Sequence, residues 1–448
     1  MNTINNYTAR QWWKTIVFTM VSCLTSLILV LSNAMPLSAH RFGPSEGLMQ
    51  VNAMPFPAHR FRPSEGLMLV DYRHLDGGKD GVALIEMDPE SRRFGRIQKL
   101  HFFGEDVLPH HLYFNHDETR LYSTALNEPY LFEIAYRKDH KGRPRLGRIT
   151  PIDTGGNIIA EDMYFSEDGS RYYVTFLLGQ GGDRDGSVGV FDAETNELIE
   201  TIRALEPEDG SLEPPFILYP HGISANEELN FLMVTSDANP DGVSGTGNTV
   251  TLIDFETHEL LKTYLVADSP EDLSETVEVL LLRDEFPPFA LVTTVLGGDI
   301  WVASYNSDTG LFNEFEKKVE GGDQGFGVAL EFYIYENRKG EKELYVSFAS
   351  PGAINVYSLD ALPDLPLKRT LMTGAGAHHM AFFETKSGRE VLVSQNNLIN
   401  LEGLNDGTLM VVDIYTGENL GTLDMVAEYG LMPESIEWAF GHGASTHH

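Results

Sequence analysis

Hydrophobic and polar residues follow one another along this chain in short runs that recur after about 50 residues. The clearest copy is PHHLYF at 109–114, the polar turn NHDE at 115–118 and RLYST at 120–124. Degenerate copies begin at positions 160, 220 and 377. Each copy has an apolar run, a turn containing Asp, Glu or Gly, and a second run rich in β-branched or aromatic residues. This pattern predicts a strand, a tight turn and a second strand.

The rest of each repeat predicts two more strands. Candidate third strands recur at 81–88, 130–134, 187–192, 249–254, 298–304, 354–358 and 408–413. Seven such repeats are typical of a propeller, so we predict an all-β fold, a seven-bladed β-propeller of four-stranded blades over residues 65–440. The first repeat lacks a first strand, and the run at 433–440 resembles 109–114. We therefore expect the C-terminal strand to complete the first blade and close the ring.

Residues 1–39 have the pattern of a secretory signal peptide. Arg10 and Lys14 precede an apolar run at 15–31, and a small-residue cleavage site ends at Ala39. The alternative is an uncleaved N-terminal anchor, because the run is near the lower length limit for a membrane span. We expect a periplasmic or secreted protein, with membrane contact only through an uncleaved N-terminal segment.

Two segments outside the repeats flank the predicted propeller. Residues 34–51 and 53–70 are near-exact copies, which indicates a recent local duplication. We interpret 40–64 as a linker before the fold and 441–448 as a His-containing tail.

The charge balance restricts the possible partners. The chain has 66 Asp and Glu against 32 Lys and Arg, which gives a formal net charge of −34. This acidity argues against nucleic acid, whose phosphates need a basic face, and against anionic lipid. Because Cys23 is the one cysteine, a metal site in the propeller would use imidazole and carboxylate ligands. A small-molecule substrate is compatible with this composition, which leaves the question of a protein partner open.

The histidines fall at one point of the repeat, just before its first strand. In a propeller the first strands run parallel around a central channel, so equivalent positions form a ring. The residues predicted at this ring are His110, His111, Glu161, Asp162, His221, Glu275, His378, His379 and Glu434. Blade six offers only Phe326 and Gly327 there. Alternation along a strand predicts that one His of each adjacent pair faces the channel.

The ring has the composition of a metal site, since five of the 15 His occur at this one repeat position in three units. Imidazoles from separate strands with carboxylates nearby suit a transition metal ion, and we favour copper over zinc or iron. The predicted ligands are His110, His111, His221, His378, His379 and Glu434. Glu161 and Asp162 are predicted catalytic residues acting as a general base, although ligation or orientation of the imidazoles would also suit them. A metal-free polar pocket and a blade-packing role are the alternatives.

The repeats, with Pro-His before the first strand and Leu-Tyr-x-Thr or Tyr-Val-Thr in the second, resemble the YVTN-type seven-bladed β-propellers. That family contains lactonases, cofactor-bearing oxidoreductases and binding scaffolds. The His110 and His111 pair is also similar to a His-His pair of the selenium-binding protein/methanethiol oxidase family, whose members are associated with copper. This resemblance implies a metal-dependent oxidoreductase that acts on a small, for example sulfur-containing, molecule. A lactonase-like hydrolase and a non-enzymatic metal-handling or protein-binding scaffold remain the alternatives.

Overall fold

The repeated strand–turn–strand units form seven antiparallel sheets in the computed structural model, which describes residues 66–179, 186–239, 247–283, 287–399, 401–441 and 445–446. Each sheet is one blade, and the inner strands of successive blades contact one another until blade seven meets blade one. The predicted seven-bladed β-propeller is therefore confirmed. We name the strands of a blade inner, second, third and outer, counting from the central channel.

The inner and second strands carry most of the apolar and aromatic residues of each repeat. From blade one to blade seven, the inner strands are Leu431–Trp438, Pro109–Phe114, Ile158–Phe165, Pro220–Asn226, Thr276–Leu281, Gly327–Glu336 and Ala377–Glu384. In the same order, the second strands are Leu67–His74, Arg120–Ala125, Arg171–Leu178, Phe231–Ser236, Phe289–Thr294, Lys342–Ser350 and Glu390–Asn396. Nearly all of these residues are buried because blades pack on both of their faces.

The outer strands reach the surface, whereas the third strands are largely buried. The third strands are Lys79–Glu86, Leu131–Lys138, Ser187–Asp192, Thr249–Asp254, Ile300–Asn306, Ala353–Ser358 and Thr408–Asp413. The outer strands are Ile97–Glu105, Pro144–Pro151, Leu198–Ile202, Leu260–Leu265, Glu316–Val319, Leu367–Met372 and Asn419–Asp424. Leu311–Phe312 adds a short strand to blade five, and Ser445–Thr446 pairs with the far end of the inner strand of blade six.

The C-terminal strand closes the ring as predicted. Leu431–Trp438 pairs antiparallel with Leu67–His74, and Met68 lies opposite Trp438. The first blade thus takes its inner strand from one end of the described chain and its other three strands from the opposite end. This arrangement leaves no unpaired edge at the junction.

The hydrophobic core lies between neighbouring blades. Tyr122 of blade two packs on Tyr172 of blade three with ring centroids 5.2 Å apart, and Tyr172 stacks on Phe191 at 5.0 Å. Aromatic pairs of this kind contribute about 0.5–1.5 kcal/mol beyond the area they bury. The repeated aromatic positions therefore hold each blade to the next and keep the inner strands at fixed spacing.

Among the described residues, three short helical segments connect strands, at Glu227–Leu229, Gly321–Gln324 and Met425–Tyr429. In the part of the chain that the structure describes, no helix has the length and apolarity needed to cross a membrane. The predicted signal peptide at 1–39 and linker at 40–64 lie outside the described residues, as do the histidines of the predicted tail.

Candidate metal centre

Every inner strand contains a β-bulge at the same level of the channel. The pairing between inner and second strand shifts by one residue there, so two inner-strand residues lie opposite one. From blade two to blade seven, these residues are His110/His111, Glu161/Asp162, His221/Gly222, Val277/Glu278, Leu330/Glu331 and His378/His379, and in blade one the shift falls at Glu434. Bulges re-aim side chains that regular pleating would send to opposite faces.

A side-chain oxygen on the second strand holds each bulge in six blades. The backbone N–H of the second bulge residue donates to this oxygen over 2.8–3.2 Å. The acceptors are Thr124, Thr175, Thr235, Thr293, Ser347 and Gln395. Because a bulge removes its extra amide from the strand ladder, this bond supplies the partner that a buried amide requires.

The bulges bring seven side chains of five blades together in two donor groups. Within each group, the potential ligand atoms all lie within 4.8 Å of one another. The larger group consists of His111, Glu331, His378 and His379, and the smaller group consists of His110, Glu161 and His221. All seven side chains are buried. The two groups adjoin, because the rings of His110 and His111 stack with centroids 4.2 Å apart.

In the larger group, one carboxylate oxygen faces three imidazoles. Oε1 of Glu331 lies 3.2 Å from Nε2 of His378, 3.7 Å from Nδ1 of His379 and 4.0 Å from Nε2 of His111. Burial, followed by the neighbouring imidazoles, lowers the pKa of His111 and of His378 well below the ordinary value. Both rings are therefore neutral at pH 7, which is the form that binds metals.

In the smaller group, Oε2 of Glu161 lies 3.0 Å from Nε2 of His110 and 3.7 Å from Nε2 of His221. The close pair is not aligned for a hydrogen bond, and neither Nε2 of His110 nor Oε2 of Glu161 has a partner of acceptable geometry among the described residues. An unsatisfied buried polar atom costs about 1–3 kcal/mol. Atoms that converge without bonding one another fit a shared cation.

A tyrosine and an aspartate outside the groups fix the orientation of His111. The Tyr113 hydroxyl donates to Oδ1 of Asp162 over 2.5 Å and lies 2.6 Å from Nδ1 of His111. Since the hydroxyl proton points to Asp162, Nδ1 of His111 must carry a proton and donate it to the Tyr113 oxygen. The lone pair of His111 is then on Nε2, the nitrogen that faces Glu331. Asp162 also accepts from the backbone N–H of Met163.

Glu278 lies behind His221, although neither its Oε1 nor Nδ1 of His221 has a hydrogen-bond partner of acceptable geometry among the described residues. Its Oε1 lies 3.0 Å from Nδ1 of His221, whose Nε2 faces the smaller group. Burial, and then the carboxylates of Glu331 and Asp162, raises the pKa of Glu278 well above its ordinary value. Burial alone would lower the pKa of His221, but Glu278 and Glu161 outweigh it and raise that pKa. A carboxylate behind an imidazole is common around metals in proteins.

The structure brings together six residues of the predicted ring, namely His110, His111, Glu161, His221, His378 and His379. Both members of each His pair face the donor groups, so the prediction that only one would do so was wrong, because the bulge cancels the alternation of the strand. Asp162 lies outside the two donor groups and contacts Tyr113.

Two predicted carboxylates lie elsewhere. Glu434 bonds Arg73 over 3.2 Å and accepts from Asn397 over 2.7 Å, outside both groups. Glu275 is also outside them, where burial and the neighbouring Asp237 raise its pKa to about 8.

Sequence reasoning missed three residues of the site: Tyr113, Glu278 and Glu331. For Glu331 a signal was present, since it is a lone acid inside the apolar run 327–335 and precedes Phe332 as His111 precedes Leu112. Aligning the repeats on the apolar residues after the bulge, rather than on those before it, would have found both glutamates.

No protein-family model and no curated protein matches this sequence. Solved structures with the same fold include a hypothetical selenium-binding protein from Sulfolobus tokodaii, with 13% identity over 85% of this chain and 94% of that chain and a TM-score of 0.63. A periplasmic gluconolactonase from Pseudomonas aeruginosa has 14% identity over 80% and 94%, with a TM-score of 0.51. A functionally unknown protein from Desulfotomaculum acetoxidans has 16% identity over 83% and 98%, with a TM-score of 0.52. At these identities the likeness shows the propeller fold alone.

Proposed function

We propose that this protein is an exported, metal-dependent oxidoreductase whose channel binds a transition metal ion and oxidises a small molecule there, with molecular oxygen as the electron acceptor. The observation that carries the proposal is the convergence of five imidazoles and two carboxylates on two adjoining groups. The Tyr113 hydroxyl supports it, because it orients His111 and leaves Nε2 of that ring available to ligate.

The donor set favours copper. Hard cations such as Ca²⁺ and Mg²⁺ prefer oxygen ligands, whereas imidazole-rich sets suit copper, zinc or iron. Among divalent ions, copper binds such ligands most tightly. A bound copper ion would supply one-electron redox chemistry, which zinc lacks.

The surrounding residues favour a small substrate. All seven donor side chains are buried, so a substrate must enter the channel to reach them. The chain is strongly acidic, which disfavours anionic substrates. A thiol fits these limits, because its sulfur is a soft donor that copper accepts. Likeness in fold to a protein described as selenium-binding is compatible with a chalcogen-containing substrate.

Glu161 and Asp162 have different roles in this proposal. Glu161 lies between His110 and His221 and acts as a ligand or as the base that takes the substrate proton. Asp162 holds the Tyr113 hydroxyl and so keeps the proton of His111 on Nδ1. It therefore acts through His111 and not on the substrate.

A lactonase-like hydrolase is the second candidate. It is supported by the shared fold of the periplasmic gluconolactonase and by a carboxylate, Glu161, that could activate water beside a metal ion. Hydrolysis needs no change of oxidation state, so the two candidates separate by experiment.

The test is to purify the full chain, load it with copper, zinc or iron, and measure bound metal by elemental mass spectrometry. We expect bound copper in the wild type and its loss in the His111→Ala/His379→Ala variant. The matched control is His258→Ala, which removes an imidazole 2.8 Å from a carboxylate outside both groups.

Activity assays separate the candidate functions. Oxygen consumption with small thiols would support the oxidoreductase. Hydrolysis of a lactone without a redox change would support the lactonase-like hydrolase. Metal binding without any turnover would leave a metal-handling scaffold, and absence of metal after all loadings would contradict the proposal.

A further inference from the structure

We propose that the channel holds two metal ions side by side, one in each donor group. This inference depends on the proposed metal-binding function and specifies its site. The two groups share no residue, and each offers three or four ligand atoms within 4.8 Å of one another. Three or four protein ligands are the number that holds one transition metal ion. Seven donors exceed what a single tetrahedral or five-coordinate ion accepts.

The two groups are adjacent, as the sites of a metal pair must be. Their boundary is the adjacent pair of His110 and His111, whose rings stack at 4.2 Å with an interplanar angle of 25°. Each ring belongs to a different group, so parallel rings direct their nitrogens to neighbouring positions. In two-metal catalytic sites the ions are roughly 3.5–4 Å apart. The bulge at residues 110 and 111 is the element that creates this geometry, because it turns two consecutive side chains inward.

Each group also has a polar side chain behind one of its imidazoles. Tyr113 sets the tautomer of His111 in the larger group, whereas Glu278 contacts Nδ1 of His221 in the smaller group. Outer residues of this kind accompany metal-bound histidines. Their presence on both sides indicates that two sets of imidazoles, and not one, are held for ligation.

The experiment measures stoichiometry with group-specific variants of the full chain. Metal-free protein is loaded with ZnCl₂, desalted and analysed for zinc per chain. We expect two ions in the wild type and in His258→Ala, and one ion in each of His378→Ala/His379→Ala and His110→Ala/His221→Ala. One ion in the wild type that either double variant removes would overturn the two-ion proposal while leaving the proposed function intact. Absence of metal from the wild type would overturn both.

If the double alanine variants do not fold, conservative variants test the same proposal. Glu331→Gln and Glu161→Gln keep side-chain shape, and each should weaken one of two zinc binding steps by at least tenfold in calorimetry. After loading with CuSO₄, we expect fewer unpaired spins by electron paramagnetic resonance than copper atoms by mass, since neighbouring Cu²⁺ ions couple. A full, uncoupled spin count with two coppers per chain would overturn the adjacency of the sites.

Discussion

Two buried glutamates of this propeller, Glu343 on blade six and Glu278 on blade five, have opposite surroundings. Glu343 bonds Arg369 through both oxygens, over 2.9 and 2.6 Å, and also contacts Lys368. Burial alone would raise the pKa of Glu343, but these cations outweigh it and lower that pKa to about 2. Glu278 faces His221, and burial raises its pKa.

The different surroundings indicate different roles. Glu343 is a charged residue that stabilises the fold, whereas Glu278 belongs to a site that requires a ligand. At Glu343, the chain supplies the countercharge itself, so the folded protein gains from the ionised carboxylate. Around Glu278, the described residues place no lysine or arginine within ion-pair distance of its carboxylate, and the one cation facing it is the titratable ring of His221. Natural proteins keep such groups where function needs them, at a cost in stability.

Removing the charge of Glu343 should destabilise the protein, whereas removing that of Glu278 should not. We expect Glu343→Gln to lower the free energy of unfolding by about 3 kcal/mol, because Arg369 and Lys368 lose their shared partner. Glu278→Gln keeps the side-chain shape and removes a carboxyl group whose charged form burial disfavours, so the metal-free protein should be unchanged or more stable. Urea denaturation of both variants measures this, and equal losses would invalidate the distinction.

The two carboxyl groups should also shape the pH dependence of stability in opposite directions. The folded pKa of Glu343 is below its ordinary value of 4.5, so its contribution is present above that pH and is lost as the pH falls toward about 2. The folded pKa of Glu278 is raised, so its contribution is present below pH 4.5 and is lost as the pH rises above it.

We therefore expect Glu343→Gln to flatten the acid limb of the stability curve of the metal-free protein, and Glu278→Gln to flatten the fall above pH 4.5. Chemical denaturation between pH 2 and pH 8 measures both limbs. Identical changes in the two variants would show that the surroundings of these groups do not differ as described.

The fold was accessible from sequence because the propeller repeats its pattern. Each blade shows the apolar run, the turn and the β-branched run in order, and the missing first strand identified the C-terminal run as its replacement. Local patterning and global architecture therefore point to the same arrangement. The extra strand of blade five was not predicted, since two residues at Leu311–Phe312 carry no periodic signal.

The site was accessible only in part. The histidines are unusual inside apolar runs, and five of the six predicted ligands lie in the donor groups. The alternation rule failed because a β-bulge cannot be read from single residues, and blades five and six were aligned at the wrong positions. The role of Tyr113 depends on Asp162 of the next blade, a contact between residues 49 positions apart.

A bound metal ion should stabilise the folded protein through the donor groups in the channel, where Glu278 lies, and not through the ion pairs of Glu343. An ion that binds the folded chain alone adds about 2.7 kcal/mol when its free concentration is 100 times the Kd. We expect copper to raise the melting temperature of the wild type and a chelator to reverse it. Glu343→Gln should keep this increase, because Glu343 lies outside both donor groups. An increase of the same size in His111→Ala/His379→Ala would place the binding site elsewhere.

Removing the Tyr113 hydroxyl should weaken metal binding by about 10- to 100-fold, which is the usual effect of losing an outer partner of a ligand. Tyr113→Phe leaves Nδ1 of His111 without its acceptor, so the ring can turn or change tautomer. The matched control is Tyr136→Phe, which removes a buried hydroxyl that donates to the carbonyl of Ala439. Metal titration by calorimetry measures both, and equal weakening would contradict a role specific to His111.

The smallest effect should come from the oxygen that holds the bulge of His111. Thr124→Val removes the acceptor of the His111 N–H, a bond of 3.1 Å, and should cost about 1 kcal/mol of stability. Thr263→Val is the matched control, because Thr263 accepts the N–H of Phe216 over 3.1 Å on an outer strand. We expect similar losses of stability in urea, but a weaker affinity for copper in Thr124→Val alone. If both variants kept the copper affinity of the wild type, the geometry of the ligands would not depend on the bulge. The hydrogen bond to Thr124 would then stabilise the fold alone, as the bond to Thr263 does.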